Sequence, residues 1–164
     1  MDTPTASSII NPKNDTTLFY GLCWQEPIVT FNIKTKNWTK TPFQTKNYFY
    51  TLGISSDGQL LGTGTNTGYV HIWDLKTNTR KRSIKIHNGP VYSIIFTQNK
   101  KNIITCGADA TVNIYNINTT FCLHKFENCK DQVFSVTLTP DEEYIVYCSH
   151  DNQVIKRKNP LKMI

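Results

Sequence analysis

The sequence predicts an all-β fold built from one repeated unit of four antiparallel strands, and three observations carry the prediction. The first is an internal period: HNGPVYSIIFTQNKKNIITCGADATVNIYNI, from His87, aligns without a gap beneath TKNYFYTLGISSDGQLLGTGTNTGYVHIWDL, from Thr45, at an offset of 42. The second is the texture inside a period, where the β-branched and aromatic runs VYSIIF, NIITCG, TVNIYNI and FCLHKF are separated by polar turns. The third is that no stretch shows apolar residues at helical spacing.

Taken in chain order, the first copy is the most degenerate. PIVTFNIKTKN resembles GYVHIWDLKTN, with Phe31 beneath Trp73, and LFYGLCW matches YIVYCSH, while IINPKND needs extra residues to fit. The second copy runs through SSDG (55–58), LLGTGT and GYVHIWDL; the third supplies the four runs quoted above. For the fourth, VYSIIFTQNKKNIITCGAD lies on VFSVTLTPDEEYIVYCSHD at the same offset, which puts Asp109 on Asp151. After HDNQVIKRK only NPLKMI is left to offer its last strand. One region spans 1–164, with repeats at approximately 6–44, 45–86, 87–128 and 129–164. A four-stranded unit of this length is a propeller blade.

Composition restricts the function classes. With 164 residues, of which 38% are hydrophobic and 18% charged, the chain is globular and large enough for a core. MDTPTASSIINPKND lacks the basic and apolar regions of a secretion signal, and no window approaches the roughly 18 apolar residues of a membrane span. The expected location is cytoplasmic or nuclear, with no membrane partner. Five cysteines, an odd number without a CxxC pair, read as small core residues. Cys122, His124, Cys129 and His150 match no zinc spacing, so neither metal nor cofactor is expected. The formal net charge of +6 suits an acidic partner.

Through Trp73-Asp74 and its degenerate counterparts Phe31-Asn32 and Tyr115-Asn116, the chain resembles the WD-repeat β-propellers over essentially its whole length. His87 stands at that family's Gly-His position, and SSDG and TPDE (139–142) stand where it has Ser-Pro-Asp-Gly. The resemblance implies a hydrogen-bond network in each blade, joining a His before strand a, a Ser or Thr in strand b, an Asp in the b to c turn and the Trp of strand c. Carried over residue by residue, the third copy has His87, Thr105 and Asp109, with Tyr115 at the Trp place. The second keeps Thr63 and Trp73 but has Thr45 and Thr67 at the His and Asp places. The fourth keeps Asp151 alone, beside Cys129, Tyr147 and Arg157; the first has Gly21, Gln25 and Phe31 and no network.

His87 and Asp109 with a nearby Cys or Thr could be drawn as base, orienter and nucleophile. Their repeat positions explain them as structure, and nothing in the sequence supplies an oxyanion hole, so the protein reads as no enzyme. LGTGTNTG (61–68) is G-x-G-x-x-x-G leading into a strand, not a phosphate loop. Gly62, Gly64 and Gly68 read instead as close strand packing and a tight turn.

In a blade, the a to b and c to d turns emerge on one face. There the register gathers Lys34, Lys36, Lys40, Lys76, Arg80, Lys81, Arg82, Lys100 and Lys101, a basic face opposed by Asp141, Glu142 and Glu143 in the fourth copy. The other face receives Glu26, Asp109, Asp151, Glu127 and Asp131, offset by Lys46 and Lys130. Propellers of the resembled family usually have seven blades, or about 290 residues at this period, so four copies leave open an unusually small closed ring, a ring completed by another chain or a fragment of a longer sequence, and favour an incomplete or open arc. Pairing with another chain would complete such a ring.

Loops held on rigid strands suit docking more than chemistry. The first reading is a non-enzymatic scaffold mediating protein–protein interactions within a multiprotein complex. A second is an RNA- or chromatin-associated subunit that uses the basic face. A third is substrate recruitment to a ubiquitin ligase, although Lys76 stands where the Trp-Asp-x-Arg motif has Arg, and Thr67 replaces the upstream Asp.

Overall fold

The computed structural model describes residues 6–22 and 27–163. Strands β1 (Ala6–Asn11), β2 (Asn14–Leu22), β3 (Val29–Asn32) and β4 (Asn37–Lys40) form the first antiparallel sheet. β5 (Phe49–Ile54), β6 (Leu60–Thr65), β7 (Tyr69–Asp74) and β8 (Thr79–Lys85) form the second. β9 (Val91–Phe96), β10 (Asn102–Gly107), β11 (Val112–Asn116) and β12 (Cys122–Phe126) form the third. The fourth holds β13 (Val133–Leu138), β14 (Tyr144–Ser149) and β15 (Val154–Lys158).

Among the described residues the fourth sheet holds three strands. In place of a strand in NPLKMI, a 3₁₀ turn spans Pro160–Lys162, where the third sheet has its c to d turn. Asn159 caps that turn, accepting from Leu161 N at 3.1 Å and donating to the Glu142 carbonyl at 2.8 Å. Leu161 is thereby tucked against the core between the third and fourth sheets.

The period of 42 is written into the backbone as well as the sequence. Left-handed residues recur at Lys36, Asn78 and Thr120, at Gly58, Lys100 and Glu142, and at Gly68, Ala110 and Asn152. These are the c to d, a to b and b to c turns of successive sheets. The c to d and a to b series each have their own polar lock. Asn32, Asp74 and Asn116 accept with Oδ1 from the backbone N–H groups two and three residues on. The Asp of the Trp-Asp pair is thus a turn-holding residue of the Asx type. In the a to b turns, Ser55 pairs with Asp57, Thr97 with Asn99 and Thr139 with Asp141.

Successive sheets stack face to face and bury three cores. Phe19, Ile28 and Phe43 meet Leu52, Leu61 and Trp73 between the first two. Val70 and Ile72 meet Val91, Ile94 and Ile103 between the second and third. Ile104, Cys106, Val112 and Ile114 meet Val133, Val136, Ile145 and Tyr147 between the third and fourth. Glycines set the second of these spacings: a Cβ on Gly53 would lie 2.4 Å from the Ile94 carbonyl oxygen, and one on Gly64 would lie 2.7 Å from Val91 Cβ. The first strands of the sheets run along the inside, where Ile9, Gly53, Ile94 and Leu138 line a cavity of about 260 Å³.

Among the described residues packing runs from the first sheet to the second, third and fourth, and no strand of the first packs on one of the fourth to close the row. The outer face of the first sheet shows Ile10 at 50% and Trp38 at 58% exposure, and Val154 on the fourth is 76% exposed.

Candidate interaction surface

The polar network of the third sheet surrounds His87, which is 1% exposed. Its Nε2 lies 2.9 Å from Thr105 Oγ1 and its Nδ1 lies 2.8 Å from Asp109 Oδ1. Asp109 also accepts from Asn88 N at 2.9 Å and from the Thr111 hydroxyl at 2.8 Å. Burial raises the Asp109 pKa, but these hydrogen bonds outweigh it and leave the carboxyl well below the ordinary range. Because the imidazole is enclosed by its own partners, what it does chemically is tie the chain before β9 to the turn after β10.

Sequence reasoning missed two members of this cluster. Thr111 and Asn113 close it, with Asn113 Nδ2 donating to Thr111 Oγ1 at 2.8 Å. Polar residues at alternate positions of an otherwise apolar strand were the available signal. Tyr115 behaves differently from the expectation: among the described residues it makes no hydrogen bond to His87, Thr105 or Asp109. A phenol carries its donor at the ring tip, whereas an indole carries it on the flank, and Tyr115 packs with the core between the second and third sheets.

In the second sheet Trp73 Nε1 donates to Thr63 Oγ1 at 3.1 Å. Thr45 uses its hydroxyl locally, on the Asn47 carbonyl at 2.8 Å, and Thr67 Oγ1 lies 3.3 Å from Thr65 Oγ1. His71, one period before Asn113, is left 4% exposed with neither ring nitrogen partnered. Burial, with the nearby Arg80 charge, lowers its pKa to about 4. In the fourth sheet Asp151 accepts from Lys130 N and Gln153 N. Tyr147 donates to Asn128 Oδ1 at 2.9 Å, a contact between residues the repeat pattern does not pair. Gly21 lies in β2, with Leu52 beyond its Cα, and Phe31 packs against Trp38 with ring centres 4.6 Å apart and planes tilted by 39°. Gln25 and Glu26 fall outside the described residues.

Gly62 and Gly64 abut Ile94 and Val91 of β9, and Gly68, at φ +82°, would drive a Cβ to 1.9 Å from the His87 carbonyl oxygen. Among the described residues no three His, Cys, Asp or Glu side chains gather around a common point, and no helix is long and apolar enough to cross a membrane.

The basic residues fall at one end of the sheets. Lys34, Lys36 and Lys76 lie exposed in the c to d turns, with Lys40, Arg80 and Lys81 exposed and Arg82 half-buried on the outer strands β4 and β8. Arg80 lies 5.8 Å from the Trp73 ring centre, and Arg82 Nη1 donates to the Lys81 carbonyl at 2.8 Å. Lys100 differs from Lys101: its Nζ is 2.6 Å from Asp57 Oδ2. Burial raises the Asp57 pKa, but hydrogen bonds from Lys100, Ser55 and Gln59 lower it to about 2. That ion pair joins turns 43 residues apart and neutralises part of the face. Glu142, expected to oppose the basic charge, is buried and accepts from Gln98 N at 2.6 Å. Lys40 and Lys76 flank a cavity of about 580 Å³ between the first two sheets, floored by Phe19 and Phe43.

With this geometry in hand, the relatives can be read. The family model described as "WD domain, G-beta repeat" matches residues 78–116 and 120–155. The two matched stretches, from the end of the β7 to β8 turn to β15, are similar to WD repeats. "U3 snoRNP-associated protein-like EMB2271" of Arabidopsis thaliana is 34% identical over 65 residues, covering 40% of this chain and 14% of that protein. "Target of rapamycin complex subunit wat1" of Schizosaccharomyces pombe is 24% identical over 123 residues, covering 74% of this chain and 35% of the relative. The structure described as "Structure of U3-55K" superposes with a TM-score of 0.82 at 17% identity, over 99% of this chain and 51% of that one. This chain thus spans about half of that solved chain and 35% or less of these two relatives.

Proposed function

We propose that this chain is a non-enzymatic scaffold that holds protein partners within a multiprotein complex of the cytoplasm or nucleus. The observation that carries the reading is a set of c to d turns, each locked by Asn32, Asp74 or Asn116 at the same repeat position, beside the cations of β4, β8 and the turns before them. Such a surface recognises acidic segments by charge and position. His87, Thr105, Asp109, Thr63, Trp73 and Asp151 are its internal framework. The uncovered outer faces of the first and fourth sheets support pairing with further blades.

Affinity capture from a lysate, with the triple variant Arg80→Glu, Lys81→Glu, Arg82→Glu as comparison, tests the proposal. Partners held by wild type and lost by the variant are expected; identical captures would refute it. A second reading, an RNA- or chromatin-associated subunit, is favoured by the same cations and by the relative named for a snoRNP. It predicts capture that falls steeply with salt and is abolished by nuclease.

A further inference from the structure

At the end that carries the basic turns, the seams between sheets are filled differently. Gly58, Lys100 and Glu142 hold one repeat position, each left-handed and each in an a to b turn. At the second seam the Lys100 side chain reaches back to Asp57, and at the third the Glu142 carboxylate accepts from Gln98 N, so each crosses to the turn of the sheet before. Gly58 has no side chain to send across the first seam. A Cβ there would lie 2.1 Å from Asn11 Oδ1, and the Asn11 amide bridges the turns instead, donating to the Gly58 carbonyl at 3.3 Å.

Beside that bridge lies the cavity of about 580 Å³ between the first two sheets. Its floor is apolar: Phe19 and Phe43 are buried, and Phe43 packs on Trp73 with ring centres 5.2 Å apart. Its rim is polar and cationic. Among the described residues the lining holds Lys40 and Lys76 and no carboxylate. The acids next to it in sequence are engaged elsewhere, Asp57 by Lys100 and Asp74 by the backbone N–H groups of Lys76 and Thr77. A hollow of this size admits a large side chain and the backbone around it. A bare anion gains nothing from the aromatic floor, while the lysines select negative charge at the rim.

We propose that this cavity seats a short acidic segment of a partner protein, with one large apolar side chain on Phe19 and Phe43 and flanking carboxylates beside Lys40 and Lys76. The proposal rests on reading the chain as a protein-interaction scaffold, and it names the place on the basic face where the partner is held. Charge draws the segment in, and burial of its apolar side chain retains it.

The probe is a labelled peptide with one Phe between two Glu pairs, titrated by anisotropy and followed by amide chemical shifts. Binding with shifts at Thr17, Thr39, Gln59 and Leu75 is expected. Replacing the peptide's Phe by Ser, or its Glu residues by Lys, should weaken it by about tenfold or more. In the protein, Lys40→Glu with Lys76→Glu should do the same, as should Thr39→Trp, which fills an exposed lining position of β4. Lys130→Glu, the same change of charge on the opposite face, should bind as wild type does. Absence of binding, equal binding of the Ser or Lys peptide, shifts confined to the third and fourth sheets, or displacement by single-stranded RNA at a lower concentration than by unlabelled peptide would each overturn the proposal. The peptide arms use wild-type protein, so a folding defect in a variant cannot obscure the answer. Failure of the peptide, with capture from a lysate still dependent on Arg80, Lys81 and Arg82, would overturn this site alone; identical captures would overturn the scaffold reading instead.

Discussion

Trp73 donates its indole N–H to the Thr63 hydroxyl at 3.1 Å, with both side chains sealed from solvent. In the third sheet the equivalent hydroxyl, Thr105, is engaged by His87 instead. The second sheet thus keeps one link of the network and relies on packing for the rest. Trp73→Phe, which removes the donor and keeps most of the ring, should cost about 1–2 kcal/mol. Trp73→Ala should cost about 3–5 kcal/mol. Urea midpoints of the two variants check both figures.

Asp109 contributes to stability through a depressed pKa, so its contribution is present above about pH 4 and lost as the pH falls below that value. Asp109→Asn should be less stable than wild type at pH 7 by about 2 kcal/mol, and should lose less on acidification to pH 3. Urea melts across this range read the difference.

His71 works in a separate window. Its folded pKa of about 4 lies below the ordinary value of 6.5, so folding favours the neutral ring. Stability is complete above about pH 6.5 and declines as the pH falls toward 4, by an amount on the order of 3 kcal/mol. His71→Phe keeps a flat ring between Tyr69 and Trp73 and loses no hydrogen bond. It should remove this slope and leave stability at pH 7 little changed, measured by thermal melts at closely spaced pH values.

Thr120 holds φ +60° in an exposed turn, the third in the series with Lys36 and Asn78. A β-branched side chain is strained there. Thr120→Gly should therefore raise stability by about 1 kcal/mol, and a lower denaturation midpoint would contradict the account.

The repeat was legible because its determinants are local. Strand alternation, Asx-type locks and left-handed turn residues act within a few positions, and a shift of 42 superimposes them. The same logic placed His87, Thr105 and Asp109 together, and Gly62, Gly64 and Gly68 at close approaches. It failed where a contact crosses from one sheet to the next or depends on the direction of a side chain. Lys100 was counted as an open cation, yet it is paired with Asp57; Tyr115 was counted in a network that Thr111 and Asn113 complete.

By itself the sequence determined the period, the all-β class, the turn positions and the polar residues that hold each turn, because these follow from backbone stereochemistry and near-neighbour hydrogen bonding. Tertiary structure alone decided which charges remain open. It also decided that His71 is buried with no partner for its ring nitrogens among the described residues. Those outcomes depend on how neighbouring sheets stack, through contacts between residues some 40 positions apart, such as Lys100 with Asp57 and Gln98 with Glu142. Strand pattern does not encode the angle and spacing of that stacking.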